Sequence, residues 1–326
     1  MCKLSVIIPI YNTETFIERC ARSLFEQTLT SIEYIFVDDA SKDASLNRLS
    51  AVIEQYPNRK EQIKIIRHDT NKGTLITKLD GLQIASGKYF IVCDSDDWVD
   101  QDAYQFLVDK AEETGADIVT CDYLKEFGDH SQFCSHNPSP YTKGIDIIAN
   151  SYKTGYEWQE CTNIFRNKPS LLESVERIPH LCMWDDVYVA ILLFYHAEKV
   201  EHVDQPFYHY DRTYHSSVTE NKNTKRWEDQ IKVVQQLQKF LTGTCEMALC
   251  WLELVTVTSY AQSAKKIKWY YIFPGCEKFI WKMKLWPAYW RIAFVCLAHG
   301  FTLPCKFILW LKKNCSALLQ SAKSKG

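Results

Sequence analysis

From Leu4 onward the chain alternates between two hydrophobic patterns. Short continuous apolar runs rich in β-branched residues, the first being LSVIIPI, predict strands covered on both faces. Between them apolar residues recur at helical spacing, as in TETFIERCARSLFEQT, where Thr13 is placed as an N-cap. The series continues with a strand in IEYIFVDD, a helix in KDASLNRLSAVIEQY, a strand in IKIIRH and a helix in TLITKLDGLQIAS. It closes with a strand in KYFIVCD, a helix in QDAYQFLVDKAEETG and a strand in ADIVTCDYL. Such a β-α-β-α order predicts an α/β fold with a mainly parallel sheet and helices on both sides. Ligands of these sheets sit beyond the carboxyl ends of the strands.

That rule gives meaning to the acidic residues. Asp38 and Asp39 end the second predicted strand, and Asp94, Asp96 and Asp97 follow the fourth in FIVCDSDDWVD. A single Asp in a strand-to-helix turn is ordinarily a cap or a turn former. Two clusters at one edge exceed what capping needs, and three close carboxylates repel one another unless a cation or many donors compensate. PIYNTE follows the first strand where a dinucleotide fingerprint would need G-x-G-x-x-G, and the chain contains no G-x-x-x-x-G-K-[ST]. Neither a Rossmann dinucleotide site nor a P-loop is therefore expected. A divalent cation on hard carboxylate oxygens can neutralise phosphates without those glycines, so a metal-bridged nucleotide diphosphate satisfies both observations.

The chain has 326 residues, 46% hydrophobic and 24% charged, enough for one large domain with an appended module and far from the composition of disorder. Its 13 cysteines form no C-x-x-C pair, which argues against a disulfide framework or a zinc motif and for a reducing compartment. MCKLSVIIPIYN enters a strand directly and does not resemble a signal peptide, so a cytoplasmic location is expected. Charge is segregated: residues 263–326 hold 12 Lys and Arg against one acid, Glu277, leaving 26 basic and 39 acidic residues before them. Five of the ten tryptophans lie between Trp269 and Trp310. The longest uncharged run there, Ile292 to Cys305, is shorter than the ~20 residues of a membrane span and contains Gly300 and Pro304. Trp mixed with Lys predicts a segment lying in a membrane interface, peripheral on the cytoplasmic face, in preference to a buried helical pair. Nucleic acid is not expected as a partner of so acidic a body.

The segments SVIIPIYNTETFIERCARSL, IFVDDASKD, NKGTLITKLDGLQIASGKYFIVCDSDDW, MWDDVYVAILLFYHAEKV and PFYHYDRTYHSSVT together resemble the inverting family 2 glycosyltransferases with a GT-A fold, over about residues 4–219. The resemblance implies a GT-A-type, Rossmann-like α/β fold with a mixed, mainly parallel sheet flanked by helices and a C-terminal helical extension. It implies also that Pro9, Tyr11 and Asp39 line a nucleoside pocket, with Asp39 accepting from the base. Asp94 and Asp96 would be the acids of a D-x-D motif holding ribose or metal, the cation being Mn or Mg. His215, in RTYHSSVT, is a further candidate ligand, although a histidine after an aromatic stretch is more often packed or capping. Three departures accompany the resemblance. Thr77, Lys78 and Leu79 stand where the family often has A-R-N, so a point charge replaces a forked donor. Asp185-Asp186 replaces the usual Glu-Asp pair, and YHYDR puts the arginine of the aromatic motif at Arg212.

The implied activity is that of an inverting hexosyl- or related transferase in surface polysaccharide assembly. It would move a sugar from a nucleotide-diphosphate donor, a UDP-sugar being favoured, to a glycan or lipid-linked acceptor. Asp186 would be the base that takes the acceptor proton, and Lys78 and Arg212 would help neutralise the leaving diphosphate. Both Asp185 and Asp186 also suit the N-terminus of the helix that VYVAILLFYHA predicts. Trp158, Phe165, Trp184, Tyr208 and Tyr210 are candidates for a sugar-stacking wall, though aromatic residues serve more often as core. Two rivals are a nucleotide-sugar-binding protein without catalysis and a sugar nucleotidyltransferase. The expected division is a GT-A domain over 1–219, with its nucleotide-sugar half about 1–123 and acceptor half about 124–219, and a helical basic extension over 220–326.

Overall fold

Leu4–Ile10 forms the first strand, β1, and every residue of it except Pro9 is buried. β2 (Ile32–Asp38) is buried throughout, and the two pair in parallel. These central strands can be continuously apolar because helices cover both sheet faces. β3 (Ile63–Arg67) lies at the sheet edge, where it carries lysine and arginine and is largely solvent-facing. β4 (Tyr89–Val92) pairs in parallel with the other side of β1. In the computed structural model, residues 1–136, 139–168, 175–181, 183–213 and 226–263 are described, with 275–282, 288–298 and a few single positions beyond 263.

The sheet continues past β4 with five strands, of which the hydrophobic pattern announces one, the strand expected in ADIVTCDYL. β5 (Trp98–Val99), β6 (Ile118–Glu126), β7 (Ser131–Cys134), β8 (Asn163–Arg166) and β9 (Val200–Asp211) complete a nine-stranded sheet. Its order is β3-β2-β1-β4-β8-β6-β9-β5, with β7 paired to β6. β8 is antiparallel to both β4 and β6, whereas β9 runs parallel to β6 and antiparallel to β5. The fold is thus the mixed, mainly parallel sheet that the sequence implies. Between β6 and β9 the register jumps from Cys121↔Val203 to Tyr123↔Tyr208, so Asp204–Phe207 bulges out of the ladder. Pro206 sits in that bulge, where its missing N–H costs no ladder bond.

Helix α1 (Ile17–Phe25) buries Ile17, Cys20, Ala21, Leu24 and Phe25, the i, i+3, i+4, i+7, i+8 stripe of a helix on a sheet. Thr13 does not cap it by side chain. Phe16 is the N-cap residue, and the Thr13 carbonyl receives the Phe16 and Ile17 N–H groups. Helices α2 (Ser45–Ile53), α3 (Thr74–Gln83) and α4 (Ala103–Thr114) follow β2, β3 and β5. α3 lies so close to the sheet that a Cβ on Gly81 would stand 2.7 Å from Ile7 Cγ2 and 3.1 Å from Val37 Cγ2. Among the described residues, α5 (Gly144–Thr154) and α6 (Asp185–Tyr195) complete the helices before β9.

Two compact units divide the chain. The first comprises 1–148 and 156–222 and holds the sheet; the second comprises 149–155 and 223–326. The second is helical where described. α7 (Arg226–Leu241) and α8 (Glu246–Ser263) form a hairpin whose turn includes Gly243 at φ 78° and whose core includes Val233, Leu237, Leu241, Leu254 and Val257. α9 (Ala288–Ala298) follows a 3-10 turn over Cys276–Lys282. Several apolar residues of this unit are exposed, among them Trp281, Tyr289, Phe301, Leu303, Phe307 and Trp310. Among the described residues no helix is long and apolar enough to cross a membrane.

Candidate active site

The carboxyl ends of β1, β2 and β4 open on one cavity of about 1060 Å³ in the first unit. Pro9 and Tyr11 reach it from β1, Asp39 from the end of β2, and Asp94 and Asp96 from the turn after β4. Lys78 of α3, Asp185 and Asp186 of α6, and Arg212 after β9 line it as well. These nine residues therefore share one space. His215, the remaining candidate ligand, lies outside the described residues.

Asp39 is fixed before any ligand arrives. Its carboxylate accepts the Lys72 N–H at 2.8 Å and the Gly73 N–H at 3.0 Å and stands 2.8 Å from His68 Nδ1. Gly73 adopts φ 91°, and a Cβ there would lie 2.7 Å from the His180 Cα, so only glycine fits. Asn71 lines the cavity too. Tyr11 is half exposed at the cavity mouth.

The acidic turn after β4 splits into two roles. Asp97 is fully buried and does not reach the cavity; it accepts the Tyr208 hydroxyl at 2.5 Å and the Asp211 N–H at 2.8 Å. The turn is closed by Asp97 N–H to the Asp94 carbonyl at 3.1 Å. Arg19 donates to the Asp96 carbonyl at 2.7 Å, pairs with Asp211 and stacks over Trp98 at 3.7 Å. With the turn stapled on that side, the Asp94 and Asp96 side chains are left to the cavity. Of the three close carboxylates of this turn, two line the cavity and the third, Asp97, is held by protein donors. Asp38 is likewise turned away, accepting the Ser41 N–H at 3.1 Å.

Burial pushes the Asp96 carboxyl up to about 6, with the Asp94 charge acting in the same direction. Asp94 is raised for the same reason, partly offset by Lys78. Two desolvated carboxylates whose ionised forms are mutually unfavourable are a site short of positive charge. A hard divalent cation fits that donor set.

On the opposite wall, Lys78 Nζ is buried between Glu160 Oε2 at 2.7 Å and Asp185 Oδ2 at 2.8 Å. Burial acts against its charge, but Asp185 and Glu160 outweigh it and hold the ammonium well above the usual lysine range. One ammonium cannot satisfy three nearby acids. Burial pushes Glu160 up to about 8, partly offset by Lys78, and burial with the Asp185 charge pushes Asp186 up to about 7. The Asp186 Oδ1 accepts the Val187 N–H at 2.8 Å at the start of α6. Trp184, just before it, has φ 64°, a left-handed conformation rare for a bulky side chain, and lines the cavity.

Glu160 escapes sequence reasoning because the loop Glu157–Cys161 has no periodicity. Its only signal is two acids among Trp158 and Gln159 in EWQE. Of the aromatic candidates, Trp158, Trp184, Tyr208 and Tyr210 line the cavity, whereas Phe165 is core, stacked on Phe90 at 5.3 Å between ring centres. Tyr123 is a further wall residue, its hydroxyl donating to Glu157 at 2.7 Å.

Comparison with known proteins agrees with this geometry. The chain is 28% identical over 252 residues to the putative glycosyltransferase EpsH of Bacillus subtilis (strain 168), covering 73% of this chain and 69% of that one. It is 30% identical over 228 residues to the uncharacterized glycosyltransferase EpsJ of the same organism, covering 67% and 63%. Among solved structures it superposes on S. aureus TarS 1-349 in complex with UDP-GlcNAc with a TM-score of 0.72 at 17% identity, over 96% of this chain and 92% of TarS. The mannosyltransferase PcManGT from Pyrobaculum calidifontis, in complex with GDP-Man and Mn2+, matches with a TM-score of 0.55 at 13% identity, over 94% and 86%. Likeness at such identities establishes the GT-A fold. The model of the glycosyl transferase family 2 matches residues 5–168, half of the chain, so the protein belongs to that family and is a glycosyltransferase.

Proposed function

We propose that the protein transfers a sugar, with inversion, from a nucleotide-diphosphate sugar to a glycan or lipid-linked acceptor in surface polysaccharide assembly. The observation that carries this reading is the convergence of Asp39, Asp94, Asp96, Lys78 and Asp186 on one cavity at the strand ends. UDP-sugars are the favoured donors, in keeping with the UDP-GlcNAc held by TarS.

Pro9, Tyr11 and Asp39 form the nucleoside end, where Asp39, already held by the Asn71–Gly73 loop, offers remaining acceptor capacity to the base. Asp96 and Asp94 would hold Mn or Mg, which as a Lewis acid would stabilise the negative charge of the departing diphosphate. Arg212 adds positive charge at the cavity wall. Lys78, with its ammonium between Glu160 and Asp185, acts by fixing the wall beside Asp186. The acceptor hydroxyl oxygen forms the new bond to the anomeric carbon as the bond to the diphosphate oxygen breaks. Its proton passes to the Asp186 carboxylate, whose affinity near pH 7 suits a base that must both take and release it.

In this reading, residues 1–123 form the donor half, 124–219 the acceptor half, and 220–326 an extension that meets the cytoplasmic face of a membrane. The exposed Trp281, Phe307 and Trp310 among basic residues support the last assignment. The test is a thermal-shift panel of UDP-, GDP-, CMP- and dTDP-sugars with and without Mn2+, because a ligand bound only to the native state raises its apparent stability. A UDP-sugar is expected to give the largest, metal-dependent shift. No shift with any nucleotide sugar would contradict the reading.

A further inference from the structure

Away from the donor cavity, the bulge between β6 and β9 gathers a second set of ligand atoms. Asp122 of β6, His202 of β9 and Asp204 in the bulge each offer one atom, and the three lie within 4.8 Å of one another. His202 Nε2 is 3.4 Å from Asp122 Oδ1 and 3.2 Å from Asp204 Oδ1. Ligands at the ~2.0–2.2 Å bond lengths of a tetrahedral zinc site stand about 3.3–3.6 Å apart, so these separations match two edges of such a tetrahedron. None of the three residues lines the donor cavity.

The hydrogen bonding around His202 points the same way. Its Nδ1 is 2.7 Å from Thr120 Oγ1, and that hydroxyl donates to the Glu201 carbonyl at 3.4 Å. That hydrogen bond favours the tautomer in which Nδ1–H donates to Oγ1, which turns the Nε2 lone pair toward the two carboxylates. Nε2 has no hydrogen-bond partner of its own. Only a proton or a metal ion can reconcile that lone pair with its neighbours, and an imidazole oriented through its other nitrogen is the usual arrangement of a metal ligand. Beside it, His136 is 1% exposed and neither ring nitrogen has a hydrogen-bond partner, although its N–H donates to Asp122 Oδ1 at 2.7 Å. A buried imidazole unpaired at both nitrogens is costly unless something is bound nearby. Asp204 is exposed, which leaves a path from solvent.

We propose that Asp122, His202 and Asp204 bind a divalent transition-metal ion of the zinc type, with water completing the shell. The mixed imidazole and carboxylate set suits zinc better than a hard cation, which prefers oxygen alone. The ion would clasp the bulge and so fix the outer half of β9, which brings Tyr208, Tyr210 and Arg212 to the donor cavity. This site is independent of the cation proposed at Asp96.

The test uses the full-length chain, stripped with chelator, in an Asp96→Asn background that removes the donor-cavity site. Zn2+ affinity is read by competition with a chromogenic chelator, and Co2+ is added separately to read geometry. One equivalent of Zn2+ is expected, weakened by about 100-fold or more in His202→Gln and in Asp204→Asn. Asp204 is exposed, so its substitution keeps the fold. Co2+ should give the visible absorption of a tetrahedral nitrogen and oxygen site, lost in the same variants. Zn2+ binding unchanged in both variants, thiolate-to-cobalt bands in place of that absorption, or no Zn2+ bound tighter than about 10 μM would each overturn the proposal.

Discussion

Asp186 is the proposed base, and burial and the Asp185 charge raise its carboxyl to about 7. Asp186→Asn should leave donor binding unchanged and lower transfer by about 10²–10⁴-fold, the usual contribution of a positioned base. Transfer assayed at the parental rate would remove the assignment. Because the ionised form accepts the proton, kcat/KM should rise with pH through about 7 and then level, and a rate flat from pH 5 to 9 would contradict it. Glu160 makes a separate statement about stability. Its folded value of about 8 lies above the ordinary carboxyl value of 4.5, so the folded chain binds more protons than the unfolded one between them. That contribution is fully present below about pH 4.5 and is lost as pH rises through about 8. Glu160→Gln should flatten this part of the melting-temperature profile, and an unchanged slope would show that the acid is not so shifted. Residue scale is also where the sequence is least explicit. DSDD offers three equivalent carboxylates, and only the Tyr208 and Asp211 contacts, made 111 and 114 residues along the chain from a strand that no pattern announces, assign Asp97 to the scaffold.

At the scale of elements, the site depends on a loop held at one tight point. Gly73→Ala places a Cβ 2.7 Å from the His180 Cα at φ 91° and should destabilise the fold by about 1–3 kcal/mol, with loss of donor affinity as Asp39 is released. A chemical denaturation midpoint equal to the parent's would deny the close approach. Gly81 offers a comparison, since a Cβ there meets Ile7 Cγ2 without touching the cavity and should cost stability alone. The parallel half of the sheet was readable because strands buried on both faces are continuous apolar runs. β8 is only four residues long, and β9 interleaves histidines, acids and Pro206, so neither period stands out; their pairing is settled by the sheet they join. Glu160 belongs to a loop held by side-chain bonds such as Tyr123 to Glu157, which no local propensity encodes.

For the whole molecule, the charge division between an acidic body and a basic, tryptophan-rich extension was legible in composition alone, whereas the mixed strand order was not. Full-length protein carrying Trp281→Ala, Phe307→Ala and Trp310→Ala should pellet less with anionic vesicles than the parent, because three exposed aromatic anchors are removed. Equal pelleting would reject membrane attachment through this surface. The account as a whole turns on Asp94 and Asp96 supplying a cation to the donor cavity. Its most direct test compares Mn2+-dependent donor binding and transfer in Asp96→Ala with the parent, on the same preparation, by calorimetry and product formation. The account predicts that the variant loses the Mn2+ dependence of donor binding and at least about 10²-fold in transfer rate. A variant that binds donor and Mn2+ as tightly as the parent and transfers sugar as fast would contradict it.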